Sequence, residues 1–292
     1  MINLLAGARA KTNWAQEHYF SIRKTIHEYF ESKPYSGTRE IDFETGDVVF
    51  RAKVLKPLPA VLPLLIGDFV HNLRAAVDHV AYRLVATSGA VPDRQTQFPL
   101  CKTEHAFYPT RNTLGHCPTC GKGLGKERPG DLARKLHGVT DETIIKSVVR
   151  WQPFSWVEPD GKERPDLAPL HTLNELDAID KHHGLLVVGS AMLDSTIQVL
   201  TWGPNLDPRR LGALYPKKRI AMEDGTELLR IPPIPFPAQV QPKFTYEVCL
   251  AIGGKLAPLV RESPEQGLLQ TLLAWVDAFV RDFGQFFPPD PA

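Results

Sequence analysis

One stretch constrains the fold more than any other: Gly67–Leu84, reading GDFVHNLRAAVDHVAYRL. At about 100° per residue, the helical period, it splits into two faces. Ile66, Phe69, Leu73, Val77, Val80 and Leu84 gather on one side, and Asp68, His71, Asn72, Asp78, His79 and Tyr82 on the other, with Arg74 at the border. An ordinary solvated helix face is rich in Lys and Glu, which are flexible and good helix formers. This face has neither. Its short-armed imidazole, carboxylate and amide groups hold geometry and move protons, and so dense a set needs partners or a ligand.

The rest of the chain supplies enough apolar residues to bury one side of that helix. Hydrophobic residues make up 43% and charged residues 23%, which is a globular balance. The 34 Lys and Arg nearly cancel the 33 Asp and Glu, and no long run of one sign appears. That argues against long duplex DNA or an acidic membrane as partner, while a local basic groove stays open. The opening MINLLAGARAKTNW lacks an apolar core and a cleavage pattern, and no apolar run approaches the ~20 residues that span a bilayer. Four cysteines with one CxxC do not form a disulfide framework, so the expected compartment is cytoplasmic.

Around the central helix (about 62–86) the pattern predicts further elements. Residues 8–31 read as a long helix with Trp14, His18, Ile22, Ile26 and Phe30 as its core stripe. Arg39–Phe43 and Val48–Leu55 alternate around ETGD as a β-hairpin. Helical signal returns at 131–137, and at 141–150 behind Thr140 as N-cap. It returns again at 169–182, where Leu173, Leu176 and Ile179 form a stripe with Asp180 beside it, a carboxylate expected to be partly buried and paired. Asp177 and Lys181 make an i,i+4 pair on the other flank. From 185 the pattern is β. Leu185–Met192 and Thr196–Trp202 flank an LDS turn, Arg219–Glu223 and Thr226–Ile231 flank Asp224-Gly225, and Phe244–Ile252 is a fifth strand. A helix at 264–286 closes the chain, with Ser263 as N-cap and Leu269, Leu272, Val276, Phe279, Val280 and Phe283 on its apolar face. The expected class is α+β: a helical bundle carrying an antiparallel sheet of about five strands and a zinc-knuckle insertion. We expect one compact unit over 1–292, with 1–184 mainly helical, 185–262 β-rich, and 263–292 returning to the bundle.

Three pieces in order resemble an uncharacterised bacterial family of cytoplasmic proteins: IGDFVHNLRAAVDHVAYRL behind a hairpin, then TQFPL, then LNELDAIDKHH. Together they cover about residues 40–190. The chain has His183 directly after DKH, where the family would have Arg at the second of those His positions or beside it. A looser resemblance carries chemistry. Arg74 to His79 fits the R-x4-H pattern of HEPN domains, helical-bundle proteins many of which resemble metal-independent ribonucleases acting as homodimers. The resemblance implies RNA as partner. His79 would act on the 2′-OH or the leaving 5′-oxygen, and Arg74 would hold the phosphate. Asp78 or Asn72 would orient the His or the sugar, and His71 would be a second acid or base. Asp180, Lys181 and His182 of the DKH string complete the candidate catalytic set. Ala75 departs from the polar residue common in active members, and the β-rich region lies outside a minimal bundle of that kind.

Two other readings use the same residues. In one, His71, Asp78 and His79 with Asp180, His182 or His183 hold a metal for hydrolysis; Arg74 beside a dication opposes it. In the other the face is non-catalytic, and Arg74 pairs with Asp177 or Asp180 to join the two marker helices.

Residues 101–130 read as an insertion, poor in periodicity and too long to stand structureless in a compact domain. Cys117-Pro118-Thr119-Cys120-Gly121 has the form of a zinc knuckle, and Cys101 with His105 would complete a Cys₃His site, with His116 or His137 as substitutes for the histidine. The CxxC does not open a helix after a strand, which sets it apart from a redox pair. No catalytic cofactor is expected. The zinc expectation is tested by metal analysis. Purified protein should carry stoichiometric zinc that Cys117→Ser/Cys120→Ser loses, with the variant melting at lower temperature; a zinc-free wild type with an unchanged melting temperature contradicts it.

Overall fold

The computed structural model describes residues 5–108, 130–182, 188–199, 220–231, 240–252, 255–258 and 267–287. The chain divides into two compact units, where the sequence suggested one. The first comprises residues 1–20, 65–185 and 269–292, and the second residues 21–64 and 186–268. Helices and antiparallel strands are both present, so the class is α+β. No described helix is long and apolar enough to cross a membrane.

The helices follow the predicted periods closely. They are α1 (Ala6–Glu31), α2 (Val61–Thr87), the short α3 (Glu104–Phe107) and α4 (Asp131–Lys135), α5 (Glu142–Arg150), α6 (Pro169–His182) and α7 (Leu268–Gly284). The apolar stripe of α2 is fully buried, as is the predicted face of α7. Phe98, in the TQFPL segment, packs edge-on against Phe279 (4.8 Å) and Phe283 (5.7 Å) of α7. Trp151 adds to the same cluster through Phe279 and Trp275. The C-terminal helix therefore returns to the helical unit.

Two helical details depart from expectation. On α1 the buried line runs through Ala8, Ala15, Tyr19, Ile22 and Tyr29, while Trp14 is 58% exposed and stands edge-on to His18. The N-cap of α5 is Asp141 rather than Thr140: its carboxylate accepts from the amides of Thr143 and Ile144, and an ionised acceptor complements the helix's positive end. The predicted N-cap Ser263 lies outside the described residues.

The second unit corrects the β prediction. In place of one sheet of about five strands there are two, with orders β1-β2-β5 and β4-β3-β6-β7. The strands are β1 (Tyr35–Ile41), β2 (Val48–Val54), β3 (Val188–Val199), β4 (Ile220–Ala221), β5 (Glu227–Ile231), β6 (Val240–Ile252) and β7 (Lys255–Pro258). The β1–β2 hairpin is as predicted. The LDS triplet does not reverse the chain. It lies within β3, where a shift of register against β6 between Met192 and Asp194 absorbs the irregularity. Asp224-Gly225 is a turn, with Gly225 at φ +82°, yet its two arms join different sheets. β2 captures the turn. Val54 donates its amide to the Asp224 carboxylate (2.9 Å), and Gly225 donates its own to the Ala52 carbonyl (2.8 Å). Met222 donates instead to Ser190 in β3. Ala52, Met192, Met222 and Leu228 then form one small core between the two sheets of this unit.

Candidate functional site

The polar face of α2 belongs to the helical unit, and its members divide by burial. Arg74 and Asn72 are buried, while Asp68, His71, His79 and Tyr82 reach solvent.

Arg74 is 4% exposed. Its Nη2 donates to the Asp78 carboxylate (2.8 Å) one turn on and to the Phe98 carbonyl (3.1 Å). The Phe98 amide donates to the same Asp78 oxygen (2.9 Å). One ion pair on α2 thus binds both main-chain groups of Phe98, whose ring fills the aromatic cluster under α7. Arg74 Nη1 is buried with no hydrogen-bond partner. Burial pushes the Asp78 carboxyl above its ordinary value, and the guanidinium and the Phe98 amide only partly offset it. The expected pairing of Arg74 with Asp177 or Asp180 is therefore not what forms: the guanidinium is committed on its own helix and to Phe98.

The link between α2 and α6 is a different one. His71 Nδ1 lies 3.3 Å from Asp177 Oδ1, and Lys181 Nζ donates to Asp177 Oδ2 at 2.7 Å. The Asp177 side chain is 9% exposed and that of His71 is 51% exposed, so a buried carboxylate holds an accessible imidazole. Opposite a carboxylate, Nδ1 is the ring nitrogen placed to donate.

Asp180 is half-buried, as expected, but its neighbour across the helices is a glycine. A Cβ placed on Gly67 would sit 2.6 Å from Asp180 Oδ1, closer than real atoms approach. The missing side chain at position 67 is what admits the carboxylate. Burial and the nearby Asp177 and Asp68 carboxylates push the Asp180 carboxyl above its ordinary value, while His71 and Lys181 oppose that shift. Lys181 and His182 end α6 at the surface.

His79 is remote from this pair. Eight residues separate it from His71, about 12 Å of helical rise. Its ring lies over Gly7 of α1, where a Cβ would come within 2.4 Å of Nδ1. Burial, then Lys11 and Arg83, depress its pKa, and Asp78 acts weakly the other way. Lys11 Nζ donates to Asn72 Oδ1 (3.0 Å), and Asn72 donates to the Asp68 carbonyl (2.7 Å). The structure thus brings together His71, Asp180 and Lys181, and pairs Arg74 with Asp78, whose carboxyl also feels Asp177 and Lys181. It does not bring His79 to either group's working end.

Among the described residues no three His, Cys, Asp or Glu side chains gather as a metal site would require. Of the expected zinc ligands, Cys117, Cys120 and His116 lie outside the described residues, and so does His183. Cys101 is buried, and its thiol donates to Asp131 at 3.8 Å. Burial and that carboxylate push it up to about 12. His105 stands in α3, and His137 Nε2 lies 3.0 Å from the Val91 carbonyl.

Sequence reasoning missed three contributors. It gives no role to Gly67, to Phe98 of the extended FPL segment, or to Lys11. Asp177 was visible as an i,i+4 partner of Lys181, but its burial depends on how closely α6 approaches α2. Comparison with protein-family models, with curated proteins and with solved structures finds no match to the chain.

The close approach of Asp180 to Gly67 makes a testable distinction. Alanine in a helix interior is favoured over glycine by about 1 kcal/mol, and the obstructing atoms are the tip of a flexible side chain. Gly67→Ala should therefore unfold within about 1 kcal/mol of wild type in urea while its crystal structure shows Asp180 displaced. A loss of several kcal/mol would mean that Asp180 is wedged against α2 rather than seated there.

Proposed function

We propose that the α2–α6 face is a general acid–base site, with His71 as base and Asp180 as acid, acting on RNA without a metal. The observation that carries it is the buried Asp177 holding an exposed imidazole beside a carboxyl whose proton is retained above the ordinary range. Asp177 fixes the ring and its tautomer and supports the imidazolium that forms. Lys181, anchored on Asp177, faces the same site as a cation for the phosphate. The RNA assignment rests on the HEPN-like pattern, with two changes: Arg74 is spent inside the fold and its place as phosphate ligand passes to Lys181, and the base is His71 in place of His79.

The reaction balances without a cofactor. His71 Nε2 takes the proton of a ribose 2′-OH, and the oxygen attacks the adjacent phosphorus. The P–O5′ bond breaks as Asp180 gives its proton to the departing 5′-oxygen. The products are a 2′,3′-cyclic phosphate and a 5′-hydroxyl, and solvent exchange returns the two protons to their starting places. RNA is required because DNA lacks the nucleophile. Both groups lie on one chain, so the site needs no second copy to be complete.

A second reading is favoured by the burial of Arg74: the whole face is an interhelical polar network with no catalysis. The two readings separate in one assay. Purified protein in EDTA should cleave a mixed RNA pool, with the rate falling as pH rises and Asp180 loses its proton. His71→Asn should lose roughly 10²- to 10⁴-fold in rate while remaining folded by circular dichroism, and Asp180→Asn should abolish the alkaline fall. Uncut RNA with folded wild type would support the non-catalytic reading.

A further inference from the structure

One edge of α1 runs beside the polar face of α2, and two contacts fix how it lies. A Cβ on Gly7 would come within 2.4 Å of His79 Nδ1, and Lys11 Nζ donates to Asn72 Oδ1 at 3.0 Å. Numbers rise along α1 from 7 to 11 while they fall along α2 from 79 to 72, so these stretches run antiparallel. Beyond Lys11 the same edge continues at Trp14 and His18, because residues 7, 11, 14 and 18 follow the spacing of one helix face. Trp14 lies about 4.5 Å further along α1 than Lys11. Antiparallel packing carries that step past Asn72 toward Asp68 and Gly67, the part of α2 where His71 and Asp180 stand. Trp14 is 58% exposed, and the His18 ring stands edge-on to it, with centroids 5.4 Å apart and planes at 85°. A perpendicular neighbour restrains the indole and leaves at least one of its flat faces open. A restrained indole with an open face is the form that stacks an unpaired base.

We propose that Trp14 is a base-stacking platform for single-stranded RNA, taking a nucleobase beside the linkage that reacts at His71 and Asp180. This rests on the proposed ribonuclease reading, and it narrows the substrate of that site to an unpaired strand with a base splayed onto α1. Cations flank the α2 face on both sides: Lys11 from α1, held at Asn72, and Lys181 from α6, held at Asp177. Asn72 is neutral, so it orients Lys11 without cancelling its charge, and the pair of cations complements a polyanionic backbone. Asp68, exposed on the stretch of α2 that Trp14 approaches, repels a phosphate there and suits the neutral ring of a base instead. A duplex keeps its bases paired and stacked on one another and has none to offer an indole. Every base has a flat face, so the platform accepts a strand without fixing its sequence.

The test uses the full chain and a single-stranded 2′-O-methyl oligoribonucleotide of mixed sequence, which cannot be cut. Its binding should quench the tryptophan fluorescence of wild type, and Trp14→Phe should lose most of that quenching. By anisotropy of the labelled oligonucleotide, Trp14→Ala should bind roughly 5- to 150-fold more weakly while melting at the wild-type temperature. Trp14→Phe should recover most of the affinity, since a phenyl ring also stacks. A strand of the same length without its bases should bind wild type and Trp14→Ala alike. A wild type that does not bind the oligonucleotide, quenching retained in Trp14→Phe, or an equal loss on the base-free strand overturns the platform. The nuclease reading fails separately. Stacking by a protein that cuts no RNA keeps the platform and sinks the nuclease. A Trp14→Ala protein that cuts RNA with the wild-type KM does the reverse.

Discussion

The ion pair between Arg74 and Asp78 is the interaction on which the rest of the helical unit depends. A guanidinium is costly to bury, and removing a charge from water is compensated only by good geometry and further hydrogen bonds. Here one arm meets a carboxylate and a carbonyl together, and the carboxylate also takes the amide of the residue that owns that carbonyl. Phe98 is thus held by its main chain to α2 and by its ring to α7. The interaction replaces the backbone partners that an extended segment would otherwise lack in a buried position. The unpartnered Nη1 marks where the compensation is incomplete.

Fixing Arg74 in the interior leaves the outer edge of the same helix free for chemistry. Position 67 carries no side chain, so Asp180 reaches the helix, while Asp177, one turn earlier on α6, reaches His71. Two carboxylates three residues apart on one helix therefore take different roles by environment. Asp177 is enclosed and doubly bonded, and it orients. Asp180 is half-open, and burial with two nearby like charges lifts its carboxyl above the ordinary value. Like-charge neighbours and burial are the ordinary means by which a carboxyl becomes a usable acid.

The elements were legible wherever period alone decides. The apolar stripes of α2 and α7 lie where the 3.6-residue repeat places them, and the β1–β2 hairpin follows from alternation around its turn. Partner choice was not legible. Asp224-Gly225 announces a turn, but whether its arms pair with each other depends on β2, whose Ala52 and Val54 lie far away in sequence. The LDS triplet has the composition of a turn and serves as a bulge, because β6 supplies a continuous partner. At the site, the polar residues of α2 stood out at once. Their roles did not, since Arg74 at the border of the stripe could turn inward or outward. Only the seat offered by Phe98 turns it inward. Likewise Asp180 sits nearer the apolar stripe of α6, yet Asp177 is the more deeply buried, because burial follows how α6 packs and not periodicity.

The most direct test of the structural role of Arg74 is a double-mutant cycle with Asp78 by equilibrium urea unfolding. Arg74→Met removes the cation, and Asp78→Asn keeps an acceptor for the Phe98 amide. An exposed i,i+4 pair couples by about 0.3–0.5 kcal/mol, whereas a charge-assisted pair in the interior is worth about 1.5–3 kcal/mol. The buried geometry predicts a favourable coupling of about 1.5 kcal/mol or more, with both single variants less stable than wild type. Additive effects, or an Arg74→Met protein as stable as wild type, would contradict that role and return Arg74 to the surface as a ligand for phosphate.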